Sequence, residues 1–176
     1  MADNRVVYTI GVRKEGLQNL TRVIEELDKA GVETTEFKRQ AEQLRQQLAD
    51  MARQQSLIDS FVKIKQETVS AGAAFEAAQA KAQQLGRELA ATDAPTKKQT
   101  AEFGRARDAV NSTKDAYQAT QLRLQAMRGT LTENNIETTG LAQKQALLRN
   151  GMREVAAQVA GATTRLKEMG GVGPKA

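Results

Sequence analysis

The sequence predicts an all-α, elongated chain: an antiparallel coiled-coil helical hairpin, further long helices, and one short N-terminal β-strand. Two observations carry this fold class. Of 176 residues, 40% are hydrophobic but only 3% aromatic, and many of the apolar ones are alanine, which favours long helices over a thick core. Apolar positions then recur at alternating steps of three and four through most of the chain, the rhythm of a helix that meets another helix. A third observation fixes where the chain turns: of the two prolines, only Pro95 lies before the extreme C-terminal tail.

The first segment, 1–31, is read as a strand followed by a helix. Val6, Tyr8, Ile10 and Val12 stand at every second position and so share one face of an extended chain. Glu15-Gly16 breaks that run, and Leu17, Leu20, Ile24 and Leu27 follow with helical spacing. Gly31 suits a left-handed C-terminal cap, with Val32 placed to fold back on the last turn. No second strand is visible downstream, so the strand is expected to pair with another subunit, a partner or missing sequence.

A connecting helix is expected over 32–56, on the seam Phe37, Ala41, Leu44, Leu48 and Met51. The phase slips across Arg53-Gln54-Gln55-Ser56, which fits either a new helix capped at Ser56 or a stammer in a continuous one.

Residues 57–131 carry the hairpin. Leu57, Phe61, Ile64, Thr68, Ala71, Phe75, Ala78, Ala82, Leu85 and Leu89 step by four and three without interruption. The turn follows at Thr92-Asp93-Ala94-Pro95-Thr96, where Pro95 pushes Ala94 out of helical geometry. Thr96 and Gln99 have capping-box spacing for the next helix. Its seam is Phe103, Ala106, Val110, Thr113, Tyr117, Thr120, Leu124, Met127 and Leu131. If the chain reverses at Pro95, one register pairs every layer, Leu89 with Phe103, Ala82 with Val110, Phe75 with Tyr117 and Thr68 with Leu124. Each arm of roughly 35 residues would be ~50 Å long.

A third long helix is expected over 132–169, with Leu141, Gln145, Leu148, Met152, Val155, Val159, Ala162, Leu166 and Met169 as its seam. Residues 170–176, rich in glycine, read as a flexible tail. There is an internal echo. Leu27, Val32 and Glu33-Thr34-Thr35 correspond to Leu131, Ile136 and Glu137-Thr138-Thr139, both joints having a Gly or Asn stop and threonines before the next helix.

Composition also excludes chemistry. Histidine, cysteine and tryptophan are absent, which removes histidine-based triads and metal sites, zinc ribbons and disulfide frameworks. Glu25, Glu26, Asp108 and Asp115 read as solvated helix faces rather than acid–base pairs. No catalytic, metal or cofactor site is expected, and the chain is read as not an enzyme. The net charge is +5 and spread along the chain, which admits contact with DNA by charge without a dedicated reading element. No stretch reaches the ~18 apolar residues of a membrane span.

The stretches Leu57-Ile58-Asp59-Ser60-Phe61, Gly86-Arg87-Glu88-Leu89, Ala94-Pro95-Thr96-Lys97-Lys98 and Phe103 with Ala106 resemble tape measure proteins of tailed bacteriophages. The joint Leu131, Asn135-Ile136-Glu137-Thr138-Thr139 and Leu141 resembles a segment that follows this hairpin in that family. The resemblance spans about residues 55–150 and implies the N-terminal region of a longer protein. It implies a helical ruler that sets tail length, occupies the tail lumen of the virion and is made in the host bacterial cytoplasm. Implied partners are further copies, with a trimer favoured, tail tube and tail tip proteins, and a tail assembly chaperone. The residues alone leave open two other readings, a bacterial coiled-coil adaptor or secretion-associated scaffold, and a non-specific nucleic-acid-binding helical protein.

Overall fold

The computed structural model describes the backbone of residues 3–171 and the side chains of residues 14–170. It contains four helices, α1 (Asp3–Lys29), α2 (Thr35–Ala90), α3 (Lys97–Glu133) and α4 (Leu141–Gly171), and no strand among the described residues. The all-helical class therefore holds. The segment expected as a strand forms the first turns of α1 instead. Val6 and Ile10 alternate with their neighbours, but they also stand four apart and in phase with Leu17, Leu20 and Ile24. A helix satisfies its N–H groups within the segment, whereas a strand needs a second strand, and the described residues contain none. The side chains of Val6, Tyr8, Ile10 and Val12 lie outside the described residues.

The chain divides into two compact units. The first combines α1, α2 as far as Ser56, and α4; the second is Leu57–Thr139. Helix α2 contributes to both and is continuous, so the phase slip before Leu57 is absorbed inside one helix and Ser56 caps nothing. Buried Gln55 and Ile58 carry the covered face across the slip, and Ile58 takes the fully buried place while Leu57 is half-buried.

In the first unit one core joins Leu17, Leu20 and Ile24 of α1, Ala41, Leu44 and Leu48 of α2, and Met152, Val155, Val159, Ala162 and Leu166 of α4. Helices α1 and α4 run parallel, since Gly16 adjoins Val159 and Leu27 adjoins Gly170. The α4 seam is thus covered within its own chain. Each fully buried leucine or isoleucine here contributes about 1.5–3 kcal/mol by its removal from water.

The turn from α1 to α2 is a Schellman stop. Gly31 sits at φ +81°, its N–H donates to the Asp28 carbonyl at 3.1 Å, and the Val32 N–H donates to the Leu27 carbonyl at 3.0 Å. The same stop ends α3. Asn135 sits at φ 56°, its N–H donates to Thr132, and the Ile136 N–H donates to Leu131 at 2.8 Å. The internal echo is therefore one hydrogen-bonding device used twice, with Ile136 buried as the residue folded back. The two helix starts differ. Buried Thr34 precedes α2, whereas Thr138 and Thr139 are exposed and α4 begins after Gly140, at φ +71°. The expected threonine cap of α4 is thus absent, because Gly140 occupies the position before the first helical residue.

In the second unit α2 and α3 lie antiparallel. Helix α2 ends at Ala90, and α3 starts behind the expected capping box. Thr96 Oγ1 accepts from the Gln99 N–H at 3.2 Å, and Gln99 Oε1 accepts from the Thr96 N–H at 2.9 Å. Asp93 and Pro95 are exposed in the connection.

Candidate functional site

The features with functional potential are the helix seams and the edges beside them. Every hairpin seam position named from the sequence is buried or half-buried: Leu57, Phe61, Ile64, Phe75, Ala82, Leu85 and Leu89 on α2, and Phe103, Ala106, Val110, Tyr117, Leu124, Met127 and Leu131 on α3. On α4, Leu141 is half-buried and Leu148, Met152, Val155, Val159 and Leu166 are buried, while Met169 is 42% exposed.

The register differs from the expected one by about one seam step. Thr68 Oγ1 donates to the Thr120 carbonyl at 3.3 Å, where Leu124 was the expected partner. Phe103 lies against Gly86, with its Cε2 3.2 Å from where a β-carbon would stand, and Tyr117 lies against Gly72 in the same way at 3.1 Å. The expected Phe75–Tyr117 pair is nevertheless present, with ring centroids 6.2 Å apart and planes 25° from parallel. Helical side chains lean toward their own N-terminus. In an antiparallel pair the two rings therefore lean toward each other and meet although their backbones are offset.

These glycines explain how the hairpin admits its large rings. Gly72 and Gly86 are two heptads apart on α2, as are Tyr117 and Phe103 on α3. Each ring occupies the space that a side chain would fill, so one layer repeats after about 21 Å of helix. The same spacing leads next to Ile58 and Leu131, both fully buried, where an aliphatic pair takes the place of glycine and ring. Sequence reasoning had placed the rings but not the glycines. The equal spacing of Gly72 to Gly86 and Phe103 to Tyr117 was the available signal.

Polar side chains lock two places. Asp28 accepts from the Thr34 hydroxyl at 3.0 Å and from Lys38 Nζ at 2.8 Å, tying the end of α1 to the start of α2. The hydrogen bonds from Lys38 and then Thr34 hold the Asp28 carboxyl below its ordinary value. Glu33 is lowered by the Thr35 hydroxyl and backbone N–H, and Glu42 by Arg45. In the hairpin, Arg123 bridges to Glu67 at 3.0 Å, across one edge of the seam.

Glu25, Glu26, Asp108 and Asp115 are exposed and far apart in sequence or side by side on one helix face. Among the described residues no group of three or more acidic side chains is placed to hold a metal ion, and no helix is long and apolar enough to cross a membrane. An open groove of about 590 Å³ in the first unit is lined by Val32, Phe37, Arg165, Glu168 and Met169. The arrangement offers long surfaces for other helices. No protein-family model, no curated protein and no solved structure matches the chain.

Proposed function

We propose that the chain is a non-enzymatic structural protein of a phage tail, a segment of the helical ruler that sets tail length and occupies the tail lumen. The observation that carries this reading is the repeated layer of the second unit. Gly86 with Phe103 and Gly72 with Tyr117 repeat after two heptads, so length is added in equal increments whose rise is set by backbone hydrogen bonds. The resemblance of residues 55–150 to tape measure proteins supports it independently. On this reading the partners are further copies of the chain, tail tube and tip subunits, and a tail assembly chaperone, and the site of action is the virion.

The periodic construction supplies the test. In a phage that carries the gene, residues 72–85 and 104–117 are deleted together, which removes one layer from each arm and keeps both helices in phase. A ruler whose hairpin stays folded shortens the tail by about 21 Å, and one whose arms are laid end to end shortens it by about 42 Å, at 1.5 Å per residue. Unchanged tail length with intact assembly refutes the ruler. Exposed Leu147, 67% accessible on α4, is the residue that speaks for an adaptor. If Leu147→Glu abolishes assembly while the paired deletion changes nothing, the adaptor reading replaces the ruler.

A further inference from the structure

The two edges of the hairpin seam differ in chemistry. One edge holds Glu67 paired with Arg123, together with Glu88, Glu102, Lys81 and several alanines, so that acids and bases are nearly balanced on it. The other edge is marked by Gly72 and Gly86, over which the half-buried rings of Tyr117 and Phe103 lie. On that second edge α2 presents Val62 and Val69, one heptad apart and 44% and 67% exposed. Lys65 sits between them, and α3 contributes Arg128, Lys114 and Arg107 at heptad spacing, all four exposed. None of these four cations has a carboxylate within 4.0 Å, and Glu76 is the acidic residue that shares their face.

Beside the valines Phe61, Ile64 and Thr68 are buried, and toward the turn the seam is less covered. From Ala71 to Leu89 on α2 every seam residue is only half-buried, whereas the three-helix core of the first unit buries Leu44 and Leu48 of the same helix. Two helices cannot close a seam that three can, so a third helix along this edge would cover the two valines and the ring edges. Its charge follows from the cations that flank them.

We infer that the Val62–Val69 edge of the hairpin is a docking surface for an amphipathic helix of another protein, with acidic residues flanking its apolar stripe. The apolar stripe meets Val62, Val69 and the rings of Tyr117 and Phe103, as a helix laid in a groove does. The acidic flanks meet Lys65, Arg107, Lys114 and Arg128, which set its direction and exclude basic helices. This surface is independent of the tail assignment.

The test titrates the full-length chain with two synthetic 28-residue helical peptides that share a leucine stripe, one flanked by glutamates and the other by lysines. The glutamate peptide is expected to bind about tenfold more tightly at low salt, as several partly screened ion pairs give together. That preference collapses in 0.5 M salt. Joint replacement of Lys65, Arg107, Lys114 and Arg128 by glutamate inverts it, and Val69→Asp abolishes binding of both peptides. Lys63→Glu and Arg105→Glu, away from this edge, leave it unchanged. All variants are surface changes, and helicity by circular dichroism verifies that each is folded. Equal binding of the two peptides, or indifference to the four cations, overturns the inference. Binding of a 30-base-pair DNA duplex through the same cations, with neither peptide bound, overturns it in favour of a polyanion. A dimer of the chain alone that Val69→Asp dissolves overturns it in favour of a second copy.

Discussion

The ring-over-glycine layers make a quantitative prediction about alanine substitutions. Glycine inside a helix is about 1 kcal/mol less favourable than alanine, so replacing an unobstructed helical glycine stabilises. Gly104 and Gly129 on α3 are unobstructed, with no atom within 4 Å of an added β-carbon. Gly72 and Gly86 are not: the new methyl would stand 3.1 Å from the Tyr117 ring and 3.2 Å from the Phe103 ring, each a few tenths of an ångström too close. Tyr117 then has to swing outward and weaken its stack on Phe75, a contact worth about 0.5–1.5 kcal/mol. The gain in helix propensity and the loss of the stack are of similar size. Gly72→Ala is therefore expected to leave stability near wild type, while Gly104→Ala and Gly129→Ala each gain roughly 1 kcal/mol.

Because the chain forms two units, a single melting temperature does not isolate the hairpin. Amide hydrogen exchange of the α3 peptides does. Gly104→Ala should slow that exchange about fivefold, Gly72→Ala hardly at all. In a Tyr117→Ala background the obstruction is gone, and Gly72→Ala should recover its full gain, a coupling of roughly 0.5–1.5 kcal/mol between the two positions. If Gly72→Ala protects α3 as strongly as Gly104→Ala with Tyr117 present, the ring does not occupy the glycine and the layer argument fails.

Further outcomes follow from other contacts. Cysteines at Thr68 and Thr120 should form a disulfide within one chain faster than cysteines at Thr68 and Leu124, and the reverse order would restore the register expected from sequence. The α1–α2 turn should weaken in acid. Asp28 is held below its ordinary value when folded, so its contribution is present above the unfolded pKa of about 4 and is lost as pH falls through the folded value, which exchange at residues 26–38 reads directly. Lys38→Ala should reduce that pH dependence, and an unaltered profile would dissociate Asp28 from it. Leu166→Ala, at a fully buried core position, should cost about 2–5 kcal/mol in the first unit, measured by exchange in α1 and α4.

What could be read in the sequence is what depends on one helix at a time. The seam positions from Phe61 to Leu89 and from Phe103 to Leu131 were legible because three–four spacing is local, and the Thr96–Gln99 cap because its two hydrogen bonds span four residues. The register was not legible. It depends on which way Phe75 and Tyr117 lean and on the space at Gly72, neither of which appears in a pattern of apolar letters. The partner of α4 escaped for another reason. Leu17, Leu20 and Ile24 meet Val155, Val159 and Ala162 only after the whole hairpin intervenes in the chain, and a seam does not name its mate. At the N-terminus, alternation and helical spacing coincide at Val6 and Ile10, and the absence of a second strand should have counted for more than the alternation of Tyr8 and Val12.

The division between legible and illegible has a functional consequence. Seam residues are fixed by the need to meet another helix, so they tell little about what the protein is for. The flanking positions are free of that need, and the hairpin treats its two flanks differently: Glu67, Glu88 and Glu102 offset Arg123 and Lys81 on one edge, while on the other Lys65, Arg107, Lys114 and Arg128 share their face with Glu76 alone. Internal stability supplies no reason for that asymmetry, because exposed ion pairs contribute under about 1 kcal/mol and either edge could have been balanced. Partner choice does supply one, since an unbalanced edge repels basic helices as well as attracting acidic ones. On the proposed ruler reading the same helices meet two demands: the repeated layers would set the rise, and the unbalanced edge would select what lies alongside. Changing the four cations should therefore alter what binds without altering length, whereas removing the layer 72–85 with 104–117 should shorten the hairpin and also weaken docking, because Arg107 and Lys114 leave with it.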